Sequence, residues 1–433
     1  MNIRNLTLAL SLILTGLLSA QNTVLTSDDA VKMALENNFG IRLSREDAQL
    51  ASINNTKGNA GLLPTVNLVA NENFTLSAFQ QVLANGSEFN AFGAPFNTAN
   101  AGVQLSWTLF DGRRMHIAKD RLEQTESLGQ INLQATIQSS VASVLQAYYD
   151  IVRSKLQQKA ISEIIQLNEE RLKLAEARVA AGFAAQTDAL QAQIDLNQRK
   201  SDLLQQESAT NVYKRALNNL LGRAPGIAFE VEEEIQTSYD PERNNLLERI
   251  YTQNPDLQSL EKTAEIAALT VREINSLGKA RITGNAQFNA VRSDNGSGFA
   301  LNNTQAGFTV GASLIVPLYT GGNVKRQVEG AKINATKARI QVESLKLQIE
   351  TALDNQLEVL QTQQNILNIE TQNVDAAREN LSISSARFEA GTTNGLEIQS
   401  AQNSLEQALV RKNLVLYNLK IAELQLKLLV GEL

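Results

Sequence analysis

Arg178–Leu196, RVAAGFAAQTDALQAQIDL, lies between two long segments of helical apolar spacing, and Arg387–Leu405, RFEAGTTNGLEIQSAQNSL, repeats it. Arg178/Arg387, Ala181/Ala390, Gly182/Gly391, Ala192/Ala401, Gln193/Gln402 and Leu196/Leu405 are identical, and Asp188/Glu397 are both acidic. Each copy stops a helix at a glycine, the residue that adopts the left-handed conformation of helix ends most readily, and restarts it after a short run. A duplicated helical break implies a duplicated chain, so the flanking segments are read in pairs.

Each break joins a very long helix to a return helix. The long segments 113–181 and 323–390 contain no proline and are expected as rods, each on the order of 100 Å at the helical rise. In the second, Ala338, Val342, Leu345, Ile349, Ala352, Gln356, Val359, Gln363 and Ile366 follow a four-three spacing, which predicts left-handed coiled-coil packing. The return helices are expected at 186–221 and 395–430. Before each rod the period changes to two. Val66, Leu68, Ala70, Phe74 and Leu76 alternate with polar residues, as do Val103, Leu105, Trp107 and Leu109. The second half repeats this with Ile282, Ala286 and Phe288, then Phe308, Val310, Ala312 and Leu314. Strand pairs are therefore expected at 65–80 with 102–110 and at 281–292 with 306–319. The Asn- and Gly-rich stretches Asn85–Asn100 and Ser293–Asn303 read as the loops between them. Each pair closes on an aromatic and a glycine turn, Phe110-Asp111-Gly112 and Tyr319-Thr320-Gly321-Gly322. A further helix precedes each pair, interrupted at Asn37-Asn38-Phe39-Gly40 and at Asn254-Pro255-Asp256-Leu257.

The organisation that results is a targeting segment at 1–20, a first repeat at 21–222, an acidic linker with room for a short helix at 223–240, and a second repeat at 241–433. In the targeting segment, Arg4 precedes the short apolar core Leu6–Leu18, and Leu18-Ser19-Ala20 suits cleavage before Gln21, which implies export. The chain has 433 residues but only 5% aromatics and 6 prolines, a long-helix composition rather than that of a large globular core. It has no cysteine, so disulfides and thiolate metal sites are excluded. Its net charge of −6 argues against a nucleic-acid partner.

Strands with one continuous apolar face and one of Asn, Thr and Gln are the pattern of a membrane barrel, apolar to lipid and polar to water. A soluble sandwich that packs the apolar faces together is the alternative. Four strands cannot close a barrel, and an open edge in lipid leaves backbone groups unpaired, so several copies must share one wall. Two chains supply eight strands and three supply twelve; a conducting lumen favours the larger.

The duplicated strand pair, the Phe110-Asp111-Gly112 and Tyr319-Thr320-Gly321-Gly322 turns, Asn254-Pro255-Asp256-Leu257 and the paired Arg-x-x-Ala-Gly breaks together resemble the TolC-type outer membrane efflux protein family over essentially the whole exported chain. The fold class expected is α+β. The resemblance implies a homotrimer whose twelve-stranded β-barrel, four strands per chain, sits in the outer membrane of a Gram-negative bacterium and continues into the periplasm as a helical tunnel. It implies an exit duct for an efflux or type I secretion system. The partners implied are a periplasmic adaptor, an inner-membrane transporter of RND or ABC type, and outer-membrane lipid. A soluble periplasmic coiled-coil scaffold without a pore is the competing expectation.

On that likeness the two breaks form the tunnel tip. Arg178, Val179, Gly182 and Phe183, with Arg387, Phe388 and Gly391, are expected to dock the adaptor, although a plain helical hairpin would also place glycines there. Asp188 and Glu397 are the candidate pore gate: three-fold symmetry would gather three copies of each acid, and such rings select cations. Both also lie in a first helical turn, where the helix dipole favours a carboxylate regardless of function. Glu397 matches the first of the family's two gate aspartates, whereas Ser400 stands where the second would be. Trp107, Phe110 and Tyr319 are read as an aromatic girdle at the membrane boundary, with ordinary strand packing as the alternative. His116 is the sole histidine and reads as a surface residue. Gly86, Gly93, Gly296 and Gly298 lack the strand-loop-helix setting of a phosphate cradle. No catalytic, cofactor or metal constellation is present in the sequence.

Overall fold

The structure, a computed structural model, describes residues 24–237, 239–296 and 301–433. The targeting segment and Gly298 lie outside the described residues. In chain order the elements of the first half are β1 (Val24–Leu25), α1 (Ser27–Asn37), α2 (Phe39–Asn54), β2 (Thr65–Val82), β3 (Glu88–Phe110), α3 (Arg114–Ala180) and α4 (Gln186–Leu220). Those of the second are β4 (Glu230–Val231), α5 (Arg243–Gln253), α6 (Pro255–Asn275), β5 (Arg281–Asn295), β6 (Asn302–Ile315), α7 (Asn323–Glu389) and α8 (Gly395–Val430). They form two compact units, each drawn from both halves: one comprises the chain to Glu46, Asn132–Gln258 and Leu345–Leu433, the other Asp47–Ile131 and Ser259–Ser344.

The second unit holds an antiparallel sheet of order β2-β3-β5-β6. Its register aligns chemistry across all four strands. Leu68 faces Val103, Val103 faces Phe288 and Phe288 faces Phe308. On the same face lies the row Ala70, Ala101, Ala290 and Ala306, and on the opposite face the row Asn67, Gln104, Gln287 and Thr309. The apolar side chains are uncovered, with Leu68 79%, Phe308 70% and Val310 67% exposed. An uncovered apolar face of this extent marks a membrane or protein interface. Strands β2 and β6 each carry a free edge.

The first hairpin is longer than its alternation indicated, since β3 starts at Glu88 rather than 102. In the stretch to Asn100 the apolar alternation changes phase, from Phe89 and Ala91 to Phe92, Ala94 and Phe96, at a register shift opposite Ser77 and Phe79, yet its backbone pairs with β2 from Val82↔Glu88 onward. Backbone pairing does not require a patterned side-chain face. Strand β6 ends at Ile315 rather than 319, two residues before Pro317, which has no amide hydrogen to donate. No helix of the described residues is long and apolar enough to cross a membrane.

The first unit is helical. A core there packs Tyr148, Ile151 and Val152 of α3 against Leu217 of α4, Leu424 of α8 and Phe229 of the linker. The linker contributes a strand rather than a helix: β4 pairs in parallel with β1, Val24↔Glu230 and Leu25↔Val231. The two helix interruptions prove equivalent. Asn38 Oδ1 accepts from Ile41 N at 3.1 Å while Nδ2 donates to Leu220 O at 2.7 Å. Asn254 Oδ1 accepts from Leu257 N at 2.8 Å while Nδ2 donates to Leu429 O at 2.9 Å. Each asparagine caps the helix after it and ties down the end of its half's return helix.

The seam of α7 corrects the expected heptad. Leu353, Leu360, Val374, Leu381 and Phe388 are buried, whereas Val359 is 42% exposed. From Leu345 the seam takes two steps of four, through Ile349 to Leu353, before returning to alternating threes and fours. This stutter keeps leucines in the seam, and a four-residue insertion locally relaxes left-handed supercoiling.

Candidate functional site

The two interhelical turns share a backbone. In the first, Phe183 N donates to Arg178 O at 2.8 Å and Gly182 N to Val179 O at 3.0 Å. In the second, Thr392 N donates to Arg387 O at 2.9 Å and Gly391 N to Phe388 O at 3.1 Å. Gly182 has φ 76° and Gly391 φ 70°, the left-handed geometry that closes a helix by capping its last carbonyls. The α8 helix is capped by Asn394, whose Oδ1 accepts from Leu396 N and Glu397 N at 3.2 and 3.3 Å. The α4 helix has no side-chain cap at Ala185.

Their side chains diverge. Arg178 leaves its own hairpin: Nη1 donates to Phe388 O at 3.0 Å, and the guanidinium lies 5.1 Å from the centre of the Phe388 ring. Arg387 stays within its hairpin, pairing with Glu397 Oε1 at 2.5 Å, and Thr393 Oγ1 donates to the other Glu397 oxygen. Asp188, at the position of Glu397, is exposed and has no side-chain partner among the described residues. Phe183 is 78% exposed, whereas Phe388 is 5% exposed and packs with Ile164 of α3 and Ile398 of α8. Val179 packs partly against Ala175, Ala189 and Ala192. Of the expected docking residues, Phe388 thus supports the turn from within, while Phe183 is presented to solvent.

Behind the turns lies a charged layer that the sequence reading missed. Arg171, 5% exposed, joins three helices: Nη2 pairs with Asp195 Oδ2 of α4 at 2.5 Å and Nη1 donates to Gln402 Oε1 of α8 at 3.3 Å. Further along, Arg199 of α4 meets Asp202 at 3.2 Å, Glu406 of α8 at 3.0 Å and Asn403 at 2.9 Å. Burial pushes the Glu406 carboxyl above its usual range, Arg199 opposes that shift, and Asp202 adds to it. The available signal was asymmetry between the repeats: Arg171, Asp195 and Arg199 align with Asn380, Ser404 and Ala408.

At the sheet, Trp107 is 43% exposed and Nε1 donates to Leu62 O at 3.1 Å. Phe110 is 41% and Tyr319 88% exposed. His116 is exposed on the first turn of α3. Among the described residues no cluster of His, Cys, Asp or Glu is placed to hold a metal.

The family model described as outer membrane efflux protein matches residues 30–223 and 246–432, one match in each half of the chain. The chain belongs to the outer membrane efflux protein family. Members of this family are ducts rather than enzymes, and membership places the chain in the outer membrane with a periplasmic extension. This efflux protein is 23% identical over 386 residues to nodulation protein T of Rhizobium leguminosarum bv. trifolii, covering 87% of this chain and 79% of that relative. It is 23% identical over 408 residues to outer membrane protein TolC of Vibrio cholerae, covering 90% of this chain and 86% of that one. Among solved structures it matches the outer membrane protein VceC of Vibrio cholerae with a TM-score of 0.79 at 19% identity, covering 94% of this chain and 96% of that one. At that identity the likeness carries the fold.

Proposed function

We propose that this efflux protein is a passive exit duct: three copies close a twelve-stranded outer-membrane barrel, and their helices continue it as a periplasmic tunnel. The observation that carries the proposal is the four-stranded sheet, whose apolar face is uncovered, whose other face is polar, and whose two edges are free. Pairing β6 of one copy with β2 of the next removes every edge, as lipid requires. The chain has no nucleotide-binding motif, so a partner supplies the energy. That partner is an inner-membrane transporter of RND or ABC type, joined by a periplasmic adaptor that meets the interhelical turns. Phe183 offers an exposed apolar side chain for such a contact, and the Arg387–Glu397 pair offers a polar but neutral one.

The gate belongs to the same proposal. Asp188 supplies a free carboxylate to the pore mouth, whereas Glu397 is neutralised by Arg387 and acts as a strut. Purified full-length protein in planar bilayers tests the whole reading. Steady channels, together with an oligomer on gels that heating dissociates, are expected. Absence of conductance combined with release into the soluble periplasmic fraction would favour a poreless scaffold instead.

A further inference from the structure

At the foot of the sheet, where β3 turns into α3 and β5 begins, lies a cavity of about 620 Å³, within the size range of small-molecule sites. Four cations line it: Arg114 and Arg121 of α3, Lys279 in the turn before β5, and Arg281 at its start. The first two share one carboxylate, Glu273, at 3.6 and 2.9 Å. The other two have no acidic partner within 4.0 Å among the described residues, and Arg281 reaches only the Thr108 hydroxyl, at 3.4 Å. Asp111, the remaining acid, is occupied in accepting from Met115 N at 3.2 and 3.0 Å, which caps α3. The cavity therefore carries two uncompensated positive charges. Leu277, Ile315 and Pro317 give it an apolar wall.

Lys279 is held in place by the backbone. Gly112, at φ 72°, passes so close that an added Cβ would lie 2.5 Å from Lys279 Cβ. Arg113 beside it is the sole non-glycine residue with positive φ among those described, at 73°. A strained turn persists only where its surroundings enforce it. The second repeat lacks this arrangement. Its turn reads Thr320-Gly321-Gly322-Asn323, without a cation, and nothing lies within 4 Å of a Cβ built on Gly321 or Gly322. Arg281 shares the polar face of β5 with Thr283, Asn285 and Gln287, so the cavity opens on the water side of the sheet rather than the lipid side.

We propose that this cavity is a binding site for organic anions, taking a sulfonate, carboxylate or phosphate on Lys279 and Arg281 and a compact apolar body against Leu277, Ile315 and Pro317. The ligand class it assigns is cargo in transit, and in that respect the inference rests on the duct reading above. Cations with their hydrogen-bonding capacity unfilled beside an apolar wall are the complement of an amphiphilic anion.

The test is calorimetric titration of full-length protein, in nanodiscs of zwitterionic lipid, with naphthalene-2-sulfonate. Saturable binding is expected, weakened about tenfold or more by Lys279→Gln or Arg281→Gln, the size of one lost charge-assisted hydrogen bond. Arg292→Gln, which removes a cation from the opposite face of β5, is expected to bind as wild type. Equal binding of naphthylmethyl-trimethylammonium, or full affinity in the Lys279→Gln/Arg281→Gln double variant, overturns the proposal. Loss of sulfonate binding when phosphatidylglycerol is added to the nanodisc identifies a lipid site and overturns the cargo assignment. Bilayer conductance reads the duct separately. A conducting protein that binds no sulfonate overturns the pocket alone, and a sulfonate-binding protein that never conducts overturns the duct and with it the cargo assignment.

Discussion

The turns at Gly182 and Gly391 are copies of one motif with opposite side-chain wiring. Both use the same capping bonds and the same left-handed glycine. Arg178 reaches across to the other hairpin, leaving Asp188 without a partner. Arg387 folds back onto Glu397 and leaves none of that carboxylate's charge free. Duplication therefore preserved the backbone and divided the labour of the side chains: one arginine ties the hairpins together, the other neutralises an acid. The same division holds behind the turns, where Arg171 and Arg199 staple α3, α4 and α8 from first-repeat positions that the second repeat fills with Asn380 and Ala408.

The largest break in this comparison comes from its most buried member. Arg171→Ala leaves Asp195 without its cation in a water-poor layer, and losing one partner of a buried pair costs about 3–5 kcal/mol. Asn380→Ala, at the equivalent position on α7, is expected to cost under about 1 kcal/mol, as surface changes do. Loss of helical circular dichroism in urea compares the two; equal losses would refute the asymmetry. Next comes Arg178→Ala, which removes a charge-assisted bond of about 1.5–3 kcal/mol between the hairpins. It is expected to raise basal conductance in bilayers, whereas Arg387→Ala is expected to alter selectivity more than conductance.

Selectivity sharpens the contrast between the acids. Asp188→Asn is expected to lower the cation-to-anion permeability ratio, while removing both members of the second pair, in Arg387→Gln/Glu397→Gln, leaves it near wild type. A large change in that double variant would sink the idea that Arg387 neutralises Glu397. Smallest is the shared element. Gly182→Ala and Gly391→Ala should each cost about 1–2 kcal/mol by forcing an L-residue into the left-handed region, and to similar extents.

Acid provides a check on the halves away from the turns. Burial raises the Glu423 carboxyl, but hydrogen bonds from Lys427 and Lys420 outweigh it and hold the carboxyl below its ordinary range. Glu230 follows the same pattern between Lys155 and Lys214. A depressed folded-state value contributes stability above the unfolded pKa, and that stability is lost as pH falls through the folded value. Melting temperature should therefore drop below the ordinary carboxyl range in wild type, and less steeply in Glu423→Gln.

What was legible in the sequence was periodic or repeated. Alternation at Val103–Leu109 marked a strand, and the paired Arg-x-x-Ala-Gly segments marked the turns. The strand from Glu88 to Asn100 was hidden because its apolar alternation breaks phase at the bulge between Ala91 and Ala94 and is interspersed with Asn, Gly and Pro, the residues of loops. The heptad of α7 went astray at Ile349, where a step of four replaces a step of three and only packing decides between Ala352 and Leu353. Site residues were legible as positions, not as relations. Glu397 and Asp188 read alike until Arg387 and Arg178 were seen to point in different directions. The Arg171 layer was legible only as a difference between repeats, since a buried arginine and an exposed one look the same in sequence.

The free edges of β2 and β6 also govern how the molecule is made. A lone copy in water exposes both unpaired backbone rows beside an apolar face, the combination that drives misassociation of newly made strands. In the proposed three-copy barrel its sheet gains full backbone pairing only when neighbours arrive, which makes folding of that region an association reaction. Its apparent stability should rise with protein concentration. During biogenesis the interval between export and assembly is the hazardous one, and a holding chaperone that shields the edges would relieve it.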